Sequence, residues 1–167
     1  QAEELTPAPE SAMISICDGA GFDEPDVDQE HFSRFLRVYF VDSEYGEEMI
    51  RTFGAEFPNI FSAYFDKARA QQIQKFVSDC MAEGINTIYV HCHAGRSRSG
   101  AVAGWVRDNT PLELEGDASQ GNAMVRELLD NPCRFDAVLR EVAEVDEHQV
   151  NSQSPWWVRL AEMLGLR

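Results

Sequence analysis

The sequence predicts an α/β fold: a central, mostly parallel β-sheet flanked by helices, with a glycine-bearing loop set between a strand and a helix N-terminus. Three observations lead there. Short β-branched and aromatic runs at Met13–Cys17, Phe35–Val41 and Ile85–Val90 each stop at polar or turn-forming residues. A helical-period segment opening at Asp66 lies between the second and third runs. The third run passes through His91-Cys92-His93-Ala94-Gly95-Arg96-Ser97-Arg98-Ser99-Gly100 into a small-residue helix. Strand, long crossover, helix and strand make a right-handed β-α-β unit, which gathers ligands at the carboxyl ends of its strands.

Residues 1–11 mix Glu, Pro and Ala without periodicity and are expected to form a flexible terminus, leaving residues 12–167 as one domain. Met13–Cys17 ends at the turn signal Asp18-Gly19, and the acidic stretch from Gly19 to Glu30 reads as a surface loop. Cys17 reads as a core residue. The run Phe35–Val41 stops at Asp42-Ser43, so Asp42 is a carboxylate at a strand end.

From Ser43 to Phe65 the chain carries Tyr45, Met49, Phe53, Phe57, Phe61 and Tyr64, with Gly46, Gly54 and Pro58 interrupting any long helix. A segment this aromatic is expected either to wall a substrate cleft or to form a small satellite core. Asp66 reads as the N-cap of a helix whose Ala70, Ile73, Phe76 and Val77 recur at helical spacing, with Gly84 as its stop.

The segment Gly100–Arg107 is rich in small residues that let a helix lie close against a sheet, and Pro111 ends it. Leu112–Gln120 is an acidic connector, Asn122–Leu129 a helix, and Phe135, Val138, Leu139, Val142 and Val145 form a helical stripe expected in the core. Ser154-Pro155 reads as the start of a last helix running through Leu164. Its Trp156-Trp157 pair is expected to pack on the domain, with a dimer contact as the alternative. His31 and His148 read as ordinary surface residues.

Bulk composition excludes several function classes. Lys plus Arg number 14 against 29 Asp plus Glu, a net charge of −15 over 167 residues. Such a chain is a poor partner for nucleic acid, and an anionic membrane repels it over a Debye length of about 8–10 Å. A monomer is expected. The four cysteines show no paired spacing, which points to a reducing, cytoplasmic setting. No apolar run reaches the roughly 18 residues of a membrane span, and no basic, apolar leader opens the sequence.

The decapeptide carries the chemistry. Backbone N–H groups of a tight turn, the free N–H groups of a helix's first turn and the planar fork of Arg98 can together surround three phosphoryl oxygens. The same field lowers the thiol of Cys92 below the free value of about 8.5, making it a nucleophile at neutral pH. Ser99 is placed to donate to that sulfur.

His-Cys, five residues, Arg and then Ser resembles the signature of the cysteine-dependent protein tyrosine phosphatase superfamily. The Ala94-Gly95 pair and the Arg98-Ser99 ending resemble its dual-specificity branch, including compact bacterial and phage members. The resemblance implies a phosphotyrosine phosphatase-like fold and hydrolysis of phosphate monoesters through a phosphocysteine, on phosphotyrosine and also phosphoserine or phosphothreonine of protein. It implies that Cys92 is the nucleophile, that Arg98 and the loop from His93 through Ala94, Gly95, Arg96 and Ser97 hold the phosphate, and that Ser99 stabilises the leaving thiolate. His91 is implied to order the loop through hydrogen bonds and to help keep the thiol ionised. Asp42 resembles the general acid, with Glu44 and Glu47 as alternatives; Asp66 is set aside because an N-cap carboxylate is ionised and occupied. No metal or other cofactor is implied.

Four other readings also fit these residues. They are a metal site from His91, Cys92 and His93, disfavoured because strand neighbours point to opposite faces; a phosphoresidue-binding module without turnover; a phosphatase for a non-protein ester; and sulfur or arsenate chemistry on a similar loop.

Overall fold

The computed structural model describes residues 10–19, 27 and 29–152. In chain order its elements are β1 (Ser11–Cys17), β2 (Arg34–Tyr39), α1 (Glu47–Phe53), α2 (Phe57–Ile60), α3 (Lys67–Ala82), β3 (Thr87–His91), α4 (Ser97–Asn109), α5 (Ala123–Asp130) and α6 (Asp136–Ser152). The helix expected from Ser154 and its Trp156-Trp157 pair lie outside the described residues, as does the side chain of His148. The chain divides into two compact units, Gln1–Tyr45 with Ala63–Arg134, and Gly46–Ser62 with Phe135–Arg167.

The first unit is α/β, built on a small open sheet of three parallel strands in the order β2-β1-β3. β1 is central, and all seven of its residues are buried. That explains its composition: a strand covered on both faces needs small or apolar side chains throughout, here Ser-Ala-Met-Ile-Ser-Ile-Cys. Consecutive residues serve opposite faces. Ala12 packs with Cys80, Ile85, Phe76, Met81 and Ile88, while Met13 packs with Val27, Phe32, Phe35 and Tyr89. Cys17 is buried as expected. Ser11, assigned from sequence to the flexible terminus, is instead the fully buried first residue of β1.

The helix expected after Asp66 forms as α3. The Asp66 carboxylate accepts the Arg69 backbone N–H at 2.9 Å, and Gly84 closes the far end at φ +77°. β2 stops at Tyr39, earlier than its apolar run, because Val41 turns away to donate its N–H to the Ala63 carbonyl at 2.9 Å. Asp42 therefore stands on an irregular segment just beyond the strand.

α4 lies against β3, and its glycines serve a further approach. Gly100 faces Gly121 in the chain leading to α5, and a Cβ added at Gly121 would lie 2.8 Å from the Ala101 nitrogen. Only glycine fits there. The glycines serve a helix-to-loop approach, and that approach shapes the site described below.

In the second unit the aromatic insertion folds on itself. Phe61 packs on Phe53 and Phe57 with ring centroids 4.8 and 5.0 Å apart, the satellite-core outcome. Gly46 and Gly54 bound α1, the latter at φ +58°, and Pro58 opens α2, the three breaks the sequence marks. Along α6, Phe135 and Val138 are buried, but Val145, expected in the core, is 53% exposed. At about 1.5 Å per residue, α1 spans about 10 Å and cannot cover a stripe running the length of α6. Among the described residues no helix is long and apolar enough to cross a membrane.

Candidate functional site

The carboxyl ends of the three strands converge on the loop after β3. Asp18 follows β1 directly, Phe40 follows β2, and Cys92 follows β3. Phe40 is drawn to the end of β1 by its N–H, which donates to the Cys17 carbonyl at 2.9 Å. Arg98, in the first turn of α4, reaches both neighbours: its Nη1 donates to Asp18 Oδ1 at 2.7 Å and to the Phe40 carbonyl at 2.7 Å. The arginine side chain is 5% exposed. Its Nε–H is buried without a hydrogen-bond partner among the described residues. A buried donor left unmade costs about 1–3 kcal/mol, so this edge of the guanidinium is suited to an oxyanion.

The loop curls around the cysteine sulfur. Gly95 takes φ +67°, the left-handed region, and lets the backbone reverse within the turn. Cys92 Sγ lies 3.2 Å from Ser99 Oγ, and both residues are buried. Burial alone pushes the Cys92 thiol up, but the Ser99 hydroxyl and the backbone N–H groups of Ser99, Arg96 and Gly95 donate to the sulfur and hold it below the ordinary thiol value. The lowering comes from the Ser99 hydroxyl together with N–H groups of the loop and of the first turn of α4. Cys80 makes the contrast: buried in an apolar cluster, its thiol is pushed up to about 11, chiefly by burial.

Ser99→Ala removes one donor from the anionic form and leaves the burial, so the Cys92 thiol is expected to move up toward the ordinary range. The pH midpoint of iodoacetamide labelling at Cys92 should shift to alkaline pH; an unchanged midpoint would mean that the hydroxyl does not hold the thiolate.

The remaining sequence candidates fall as follows. His93, Ala94, Gly95 and Arg96 form the exposed rim of the loop. Ser97 sends its hydroxyl away from the sulfur, to Asp42 Oδ1 at 2.8 Å. The structure therefore brings Asp42 to the loop, held at its helix end. His91 is half-buried, with Nε2 enclosed and without a partner among the described residues, so the loop-ordering hydrogen bond expected of it is not made at that atom. Burial, with Arg37 nearby, pushes its pKa down, and a neutral imidazole adds no charge to support a thiolate. Glu44 is exposed, and Glu47 lies in the second unit, where it pairs with Arg51 at 3.4 Å. Asp66 is occupied by its capping bonds.

Two residues of the site escape the sequence reading. Asp18 was a turn signal and is the partner of Arg98; the signal that marks Asp42, a carboxylate at a strand's carboxyl end, applies to it equally. Asn122 was the first residue of a helix and is the buried N-cap of α5, whose Nδ2 donates to Asp42 Oδ1 at 2.9 Å.

No protein-family model, curated protein or solved structure matches the chain.

Proposed function

We propose that the loop after β3 is the active site of a cysteine-dependent hydrolase of phosphate monoesters. Its substrate is phosphotyrosine on protein, with phosphoserine and phosphothreonine as further substrates of a dual-specificity enzyme, in the reducing cytoplasm where the chain's free cysteines persist. The observation that carries the reading is the buried Cys92 Sγ 3.2 Å from the Ser99 hydroxyl, on the loop that leads to a buried arginine with an unmet N–H.

In the first step the Cys92 thiolate attacks phosphorus, forming the S–P bond as the P–O bond to the leaving group breaks. The Arg98 fork and loop N–H groups hold the three equatorial oxygens, a preorganised field for the charge that spreads over them. Asp42 gives its proton to the departing oxygen. Both of its hydrogen bonds fall on Oδ1, which leaves Oδ2 to carry that proton. In the second step Asp42, now ionised, takes a proton from water as it attacks the phosphocysteine, and the thiolate leaves toward the Ser99 hydroxyl.

The test is hydrolysis of an activated aryl phosphate in the presence of a chelator, followed by rapid acid quench and mass spectrometry at Cys92. Turnover with phosphate on that cysteine is the expected result. Binding of vanadate without turnover would mean a phosphoresidue-binding module. Asp42→Asn should slow esters with poor leaving groups by about 10²–10⁴, the usual reach of general acid catalysis, and an activated aryl phosphate far less. Equal losses on both would remove Asp42 from the acid role.

A further inference from the structure

We propose that Asn122 is a positioning residue of the acid-base step, holding Asp42 at the phosphate loop through its side-chain amide. The inference rests on the phosphatase reading and extends it to a residue on α5.

Asn122 is 7% exposed and is tied at three points. Its backbone N–H donates to the Ser97 carbonyl at 3.1 Å, fixing it to the first turn of α4. Its side-chain carbonyl accepts the Val125 N–H at 3.0 Å, capping α5. Because the cap requires an acceptor, the amide can face only one way, and Nδ2 is the donor turned to Asp42 Oδ1. The same nitrogen lies 3.5 Å from the Ser43 carbonyl, the residue next to the acid.

The approach that makes this possible is steric. Gly121 lies so close to α4 that any side chain would meet the Ala101 backbone, which brings the next residue onto Ser97. Ser97 and Asn122 then donate to the same oxygen of Asp42 from two different elements. Asp42 is otherwise an exposed side chain on an irregular segment, free to turn into solvent. Two donors on Oδ1 fix its χ angles and aim Oδ2, whereas one donor from Ser97 leaves it a hinge. A proton donor misplaced by about 1 Å loses on the order of 10²-fold in rate.

The test uses Asn122→Ser in the full chain. Serine caps a helix as well as asparagine does but carries no amide donor, so α5 keeps its start and Asp42 loses its second anchor. Turnover of an alkyl or unactivated aryl phosphate should fall about 10- to 100-fold, while an activated aryl phosphate changes less than about threefold, a split that a merely structural role would not produce. In the Asp42→Asn background the same change should cost nothing more on the poor substrate, since its effect passes through Asp42. Asn122→Asp, which keeps the shape and the capping oxygen but replaces the donor with a second carboxylate, should show the same selective loss and serves if the serine variant does not fold. Equal losses on both substrates, or additive losses in the double variant, would overturn the role of Asn122 while leaving the phosphatase reading standing. Absence of turnover in the unsubstituted protein would overturn both.

Discussion

Cys92→Ser is expected to abolish turnover while leaving the phosphate pocket intact. A serine hydroxyl at that position does not ionise near neutral pH, so the ring of donors around Sγ has no anion to hold and the attack on phosphorus has no nucleophile. Removal of an enzyme's nucleophile costs on the order of 10⁵–10⁶ in kcat, about 7–8 kcal/mol of barrier. The oxygen-binding groups, Arg98 and the loop N–H groups, are untouched by the change. Inorganic phosphate or vanadate should therefore protect the serine variant against heat about as well as it protects the parent. Residual activity above a few per cent, after exclusion of contaminating phosphatase, would show that the sulfur is not the nucleophile.

Arg98→Lys is the second large effect, and its size follows from how the fork is anchored. One nitrogen, Nη1, is committed to Asp18 and the Phe40 carbonyl, each at 2.7 Å, so the rest of the rigid plane is free to face an oxyanion. Lysine keeps the charge but has a single nitrogen. It can meet Asp18 and the carbonyl or it can meet the phosphate, and it cannot present two parallel N–H bonds. The loss expected in kcat/KM is about 10²–10³, the scale for removing an oxyanion donor. The thermal midpoint should change by only a few degrees, because the Asp18 carboxylate, 45% exposed, retains a cation beside it. A variant as active as the parent would mean that only the positive charge matters at this position.

Much of the first unit was legible because its signals are local. The cap at Asp66, the stop at Gly84 and the mostly apolar run of β1 each depend on neighbours in sequence; the first two form as read, and β1 forms with two further residues at its start. Cys92 and Ser99 lie seven positions apart across a single loop, and their meeting was readable there. What was hidden is non-local. Asp18 meets Arg98 across 80 positions and Asn122 meets Asp42 across 80, and neither pairing leaves a mark in the residues beside it.

The glycines show the same limit from another side. Gly100 reads as a residue that lets a helix rest on a sheet, and its neighbour in space is Gly121, a contact set by how α4 and α5 come together. In the second unit Arg51 reaches Glu141 at 3.1 Å across 90 positions, joining an insertion to a helix that the periodicity treats separately. The exposure of Val145 follows, since helical spacing reports which residues share a face and says nothing of how far a partner extends along it.

The central claim is that Cys92 is held as an anion, and the pH dependence of its alkylation tests it most directly. Iodoacetamide labelling, read by mass spectrometry peptide by peptide, separates Cys92 from buried Cys17 and Cys80 and from exposed Cys133. The account predicts that labelling of Cys92 reaches half its plateau rate below the free thiol value of about 8.5 and is blocked by vanadate. Labelling that rises through the free-cysteine range, with vanadate making no difference, would contradict it.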